Sequence, residues 1–229
     1  MRRVLTIDIE TLPALEITEH GLSAPQTAED HLKTALNGDF GQILCIGYID
    51  EDPGGRCNRL ESGVLGWDEQ RERFQNDERQ TLARFWELMR GFRPDRDRIV
   101  GHNIFDFDLK FILKRSVIHR VRPGVELSFA RYRNQPIYDT MMEWERWSFN
   151  SKISLDKLAR VLNLPSSKEQ GISGEQMYEL YRAGDYRAIH DYCLRDVALT
   201  RRIYKRMNFE NCAFANIPAA QDERAGLTA

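Results

Sequence analysis

Hydrophobic positions along this chain change period several times, and each change predicts an element. In residues 2–12, RRVLTIDIETL, the strand formers Val4, Leu5, Ile7 and Ile9 predict a buried strand over 3–9. A second run, QILCIGYID at 42–50, and a third at 57–65 flank the turn-rich DEDPGG, which predicts a hairpin. From about 69 to 92 Leu82, Phe85, Trp86 and Met89 recur at helical spacing, so this stretch is expected to be a helix. DRIVGHN predicts a short strand ending near Asn103. A helix follows from about 107 to 118, then a short strand near 136–139, then helices almost to 207. This alternation favours an α/β fold, a sheet of mixed strand directions flanked by helices. Residues 11–39 form a long connection carrying a short helix around 27–37, and long connections beside a functional strand often cover the site. The tail from about 208 loses periodicity and is expected to be loose.

Two acids break the apolar pattern of the first strand. Asp8 and Glu10 are two residues apart, so in a strand their side chains leave the same face together. Two further segments carry acids in apolar surroundings. GHNIFDFDLKFIL places Asp106 and Asp108 where a strand feeds a helix. In DYCLRDVALT, Tyr192 and Asp196 stand four apart on a helix whose buried side is marked by Ile189, Cys193, Leu194 and Val197.

Composition narrows the class. A chain of 229 residues, 41% hydrophobic and 30% charged, can bury one sizeable core, which argues for a single folded domain and against disorder. No run approaches the roughly 18 apolar residues of a membrane span, and the basic start MRR leads into a strand, so a cytoplasmic protein with no membrane partner is expected. Cys45, Cys57, Cys193 and Cys212 form no C-x-x-C pair and are expected to be reduced thiols, two of them in strands. The net charge of -2 hides an asymmetry. Lys110, Lys114, Arg115, Arg120, Arg122, Arg131 and Arg133 face a single acid in that stretch, Glu126, with Phe129 and Tyr132 among them. The segment reads either as a solvated basic face or as a surface for nucleic-acid phosphates and bases.

DIE at 8–10, N-I-x-x-F-D at 103–108 and Y-x-x-x-D at 192–196 resemble, in order, the three motifs of the DEDDy 3′→5′ exonucleases. The nearest likeness is to the proofreading domains of family-B DNA polymerases and to stand-alone predicted exonucleases of that kind. It extends through KISLDKLARVLNLP and ISGEQMYELYRAGDY, so it covers roughly residues 3 to 206. The resemblance implies an exonuclease domain over 1–207 followed by a tail at 208–229. The implied fold is ribonuclease H-like, with a five-stranded mixed sheet whose central first strand carries Asp8 and Glu10. It also implies two divalent cations, Mg²⁺ or Mn²⁺, since four converging carboxylates need cations and hard oxygen ligands select these. By the family pattern Asp8 bridges both ions, Glu10 and Asp196 hold the ion of the attacking water, Asp108 serves the other, and Tyr192 orients the water. Asn103, Phe107 and the backbone near Leu12 are expected to touch the terminal nucleotide, and Arg131 and Arg133 its strand. The implied partner is the 3′ end of a single-stranded nucleic acid, DNA rather than RNA, with nucleoside 5′-monophosphates released.

Other groups read more plainly. Asp106 falls where a cap of the 107–118 helix would sit, and Asp139 where a cap of the next helix would sit. His190 stands six residues before Asp196 and is expected at the surface, His102 as a satisfied core or loop histidine, and Trp144, Trp147 and Phe149 as core. Lys168 lies in a loop before GISG, near substrate by resemblance. An RNA-trimming exonuclease, a ribonuclease H-type endonuclease and a non-catalytic nucleic-acid-binding protein of the same fold remain open alternatives.

Overall fold

The computed structural model describes residues 2–14, 28–52, 59–148, 150–166 and 176–210. In chain order the elements are β1 (Val4–Leu12), α1 (Ala28–Lys33) with a 3-10 turn (Thr34–Leu36), β2 (Gln42–Asp52), β3 (Arg59–Leu65), β4 (Trp67–Asp68) and β5 (Arg73–Phe74). There follow α2 (Glu78–Leu88), β6 (Arg98–Gly101), α3 (Asp108–Ile118), β7 (Ile137–Asp139), α4 (Thr140–Trp144), α5 (Leu155–Val161), α6 (Met177–Ala183) and α7 (Tyr186–Met207). Five strands form one sheet in the order β3-β2-β1-β6-β7. β1–β2 and β2–β3 pair antiparallel, whereas β1–β6 and β6–β7 pair parallel. This is the mixed, helix-flanked sheet of a ribonuclease H-like fold, with β1 at its centre.

Period-2 alternation splits β1 between two layers. Leu5, Ile7 and Ile9 enter one core with Leu82, Phe85 and Trp86 of α2 and Leu109, Phe111 and Ile112 of α3. Thr6, Asp8 and Glu10 alternate with them and face α7. Burying side chains of this size contributes about 1.5–3 kcal/mol each, so the apolar half of β1 fixes which way its acids point.

The helix expected over 69–92 starts only at Glu78. Asp77 caps it by accepting from the Gln80 amide at 2.8 Å. Before that cap β4 and β5 form a short hairpin, with left-handed φ at Glu72 and a Trp67–Phe74 edge contact at 5.1 Å. The cross-strand aromatic pair outweighs the helical propensity of the polar turn. The connection expected at 11–39 runs instead from 13 to 41, because β1 continues to Leu12 and β2 begins at Gln42, and its helix covers 28–33 plus the 3-10 turn. Cys57, Cys212, Phe149, Lys168, the GISG turn and the tail from 211 lie outside the described residues. Among the described residues no helix is long and apolar enough to cross a membrane.

Candidate active site

β6 pairs with β1 only at Val4, Leu5 and Thr6 and then ends at Gly101. Beyond Thr6, β1 continues without that neighbour, and this carboxyl end is the place where open α/β sheets put their ligands. The chain after β6 turns there through Asn103, at a left-handed φ of 63°, into α3. Asp108, the first residue of α3, reaches back and accepts the Ile9 amide at 3.1 Å. A carboxylate from the second motif is thereby tied to the backbone between Asp8 and Glu10.

Asp139 fixes this turn. It caps α4 as expected, with Oδ1 accepting from Met141 and Met142 at 3.0 and 3.2 Å. The same carboxylate also accepts the amides of Asn103 at 3.0 Å and Phe105 at 3.1 Å. One fully buried acid thus joins the second-motif turn to the next helix. Periodicity showed only the capping half of this role.

From the other layer α7 lays the third motif over β1. Its close approach depends on Gly47 of β2, the register partner of Asp8. A Cβ there would stand 2.6 Å from Cys193 Sγ and 2.8 Å from Val197 Cγ2. With Cys193 and Val197 seated on the sheet, Tyr192 and Asp196 on the adjoining face turn to the acids of β1. The Tyr192 hydroxyl lies within the electrostatic reach of Asp196, Glu10 and Asp8. Asp8, Glu10 and Cys193 each offer a ligand atom, all within 4.8 Å of one another.

The electrostatics are those of acids crowded without counter-charge. Glu10, Asp108 and Asp196 are 6%, 2% and 7% exposed, and Asp8 is more open. Burial, first of all, holds the Asp8 carboxyl well above its ordinary range, and the charges of Asp108 and Asp196 add to it. Glu10 is raised by burial and then by Asp8, with Asp196 and Asp108 contributing. Asp108 is pushed up to about 7, by burial, with Asp139 adding and backbone hydrogen bonds opposing. The Tyr192 hydroxyl is raised by burial and by Asp196 and Glu10, so it keeps its proton. Four oxygen-bearing acids that penalise one another's ionisation suit a hard divalent cation, which removes both penalties together.

The remaining expectations divide. Leu12 is buried in one cluster with Tyr192 and Cys193, Phe107 packs edge-on against Phe111, and Asn103 lies in the turn between β6 and α3. Asp106 does not cap α3, whose N-cap Phe107 makes no side-chain bond. It pairs instead with Lys110 and Arg131, both at 2.7 Å, because the turn aims it outward toward those cations. His190 is not at the surface: it is 8% exposed, stacked on Trp67 with ring centroids 4.6 Å apart and bonded to Asp191. The β4–β5 hairpin that the sequence reading missed supplies that wall. His102 is satisfied as expected, by Thr140 and the Ile153 carbonyl, and burial lowers it to about 4, so it stays neutral. Trp147 packs on Phe105, but Trp144 is 38% exposed rather than core, since α4 ends at it.

In the basic stretch Lys110, Lys114, Arg115 and Arg131 pair with Asp106, Asp39, Glu78 and Asp106 respectively. Arg131 and Arg133 are exposed. Cys45 and Cys193 are free thiols, as expected, but their place next to the acids is unforeseen. Both are fully buried, in contact beneath Asp8 and Glu10. Only the pairing of Glu10 with Cys45 across β1 and β2 reveals this, and that register is invisible to periodicity.

No curated protein matches the chain. A family model described as a predicted 3′→5′ exonuclease related to the exonuclease domain of PolB matches residues 40–223. The matched span contains Asn103, Phe107, Asp108, Tyr192 and Asp196 and begins after β1, whose acids meet them in space. The chain therefore belongs to the family of predicted 3′→5′ exonucleases related to the exonuclease domain of PolB.

Proposed function

We propose that the protein removes nucleotides one at a time from the 3′ end of a single-stranded nucleic acid, with DNA preferred. The observation that carries this reading is the meeting of Asp8, Glu10, Asp108 and Asp196 toward the carboxyl end of β1, with Tyr192 beside Asp196. Asp8 would bridge two divalent cations, Mg²⁺ or Mn²⁺, with Glu10 and Asp196 holding one and Asp108 the other. Bound there, the ions would lower the pKa of a water and neutralise charge on the leaving oxygen.

The protein's own groups do the positioning. The protonated Tyr192 hydroxyl, steadied by Asp196, orients the water for attack on phosphorus. The bond from phosphorus to the 3′ oxygen breaks, a nucleoside 5′-monophosphate leaves, and the shortened strand keeps a 3′-hydroxyl. Asp139 keeps Asn103 and Phe107 against the terminal nucleotide. Arg131 and Arg133 lie along the path of the strand's phosphates. Relation to the exonuclease domain of a polymerase supports DNA as the substrate.

A 5′-labelled single strand incubated with the protein and Mg²⁺ or Mn²⁺ should shorten stepwise from its 3′ end. Chelator should stop the reaction, and a circular strand should survive. Cutting of the circle would establish an endonuclease instead. A matched RNA strand degraded faster than DNA would move the preference to RNA.

A further inference from the structure

Arg195 stands directly before Asp196 on α7 and three residues after Tyr192, one turn along the same helix. Its side chain is partly buried, and the Nε and Nη2 atoms are out of reach of water with no hydrogen-bond partner. Among the described residues these are the only buried side-chain nitrogens so left. Other arginines withdrawn from solvent are engaged. Arg3 closes on Asp50, Arg115 on Glu78, Arg201 on Glu51, Arg187 on Asp191, and Arg98 on Gln135 and Tyr204.

The absence of a partner is specific to Arg195. The acid one turn back, Asp191, is the natural i,i+4 mate of Arg195, but it is taken by Arg187 and His190. Cys193 and Val197 point to the sheet, and Leu199 packs with Leu158 and Ala159 of α5. Helical geometry therefore sets Arg195 away from the sheet, about 60° around the helix from Tyr192 on the side of the α5 contact. Guanidinium nitrogens withdrawn from water without an acceptor are costly, since buried polar groups are ordinarily paired. Four carboxylates with two divalent ions sum to no net charge, which leaves the anionic strand without a counter-charge of its own.

We propose that Arg195 is the phosphate-binding residue of this site, its planar fork closing on a phosphodiester of the bound strand next to the terminal nucleotide. Two parallel N–H donors match two phosphate oxygens, a fit that lysine cannot copy. The assignment rests on the strand-binding part of the exonuclease reading, and it makes Arg195 a substrate contact rather than a metal ligand.

The test compares wild type, Arg195→Gln and Arg195→Lys for binding a fluorescent single-stranded DNA in Ca²⁺ or chelator, where no turnover is needed. Arg206→Gln, an exposed charge at the far end of α7, is the control. Arg195→Gln should weaken binding about tenfold and lower the slope of log affinity against log salt by about 0.7, the share of one single-strand phosphate contact. Arg195→Lys should restore the slope without the full affinity. Arg206→Gln should leave both near wild type. Melting temperatures should hold or rise, because no folded-state partner is lost. The assignment is overturned if Arg195→Gln binds with wild-type affinity and slope, or if its melting temperature falls and Arg195→Lys binds as wild type, which marks a packing role. Wild type that binds the strand without cutting it in Mn²⁺ would sink the exonuclease reading while leaving this one standing. Wild type that binds no strand would end both.

Discussion

Asp139→Ala should damage both the fold and the reaction. The substitution removes the acceptor of four backbone amides, those of Asn103, Phe105, Met141 and Met142. Loss of the α4 cap costs about 1 kcal/mol. Leaving the buried Phe105 amide without an acceptor costs about 1–3 kcal/mol, and the part-buried Asn103 amide less. Against this stands relief of a carboxyl that burial itself holds above its ordinary range and that repels Asp108. A net loss of about 3 kcal/mol lowers the melting temperature of a chain this size by roughly 6–12 °C. Asp139→Asn should cost less. Three of the four amides meet Oδ1, and only Phe105 meets Oδ2, where the new amide would set donor against donor. Melting without metal, followed by cleavage of a labelled strand well below the transition, separates stability from rate. Both variants should be slower than wild type even where fully folded, because the turn that delivers Asp108 is loosened. If Asp139→Ala melts within a degree or two of wild type, the clamp does not exist. If Asp139→Asn melts normally yet is dead, the carboxylate takes part in the chemistry.

Tyr192→Phe should bind strand normally and slow turnover by roughly 10²-fold, since only the water-orienting hydroxyl is lost; single-turnover cleavage reads this, and an unchanged rate refutes the role. Asp108→Asn should nearly abolish cleavage while the metal-free melting temperature holds or rises, because Oδ1 still accepts the Ile9 amide and a raised carboxyl is removed. Asp106→Asn should cut normally and lose under about 1 kcal/mol, its partners Lys110 and Arg131 being well exposed. Reversal of this pair's behaviour would put the second motif out of register by two residues. Without metal, stability should fall as pH rises from about 4 toward 7. The unfolded acids ionise first while Asp8, Glu10 and Asp108 still hold protons in the folded state, so the native state binds more protons across that window. Added Mn²⁺ should flatten the fall, and equal slopes for wild type and Asp108→Asn would contradict it.

The sheet was legible because its strands are bounded by turn residues and its acids interrupt apolar runs. β1, β2, β6, α3 and α7 lie close to where periodicity put them. The β4–β5 hairpin was not legible, because two-residue strands leave no period and a polar turn with two aromatics imitates a helix start. The same omission misplaced His190, which needs Trp67 as its wall. Position alone makes Asp106 a cap, whereas its side chain follows the charges of Lys110 and Arg131 from outside that turn. The thiols under the acids and the second pair of amides on Asp139 depend on cross-strand register and on contacts 34 to 36 residues apart in sequence. No local pattern encodes them.

On the proposed function, acids from β1, α3 and α7 form one divalent-metal centre. Its most direct measurement is the titration of metal-free protein with Mn²⁺, the free ion being followed by its magnetic resonance signal. The wild type should take up about two ions per chain, as a paired-metal centre requires. Asp8→Ala should lose tight binding of both, since Asp8 would bridge them, and should remain folded. Two ions still bound tightly by Asp8→Ala, or none by the wild type, would contradict the account.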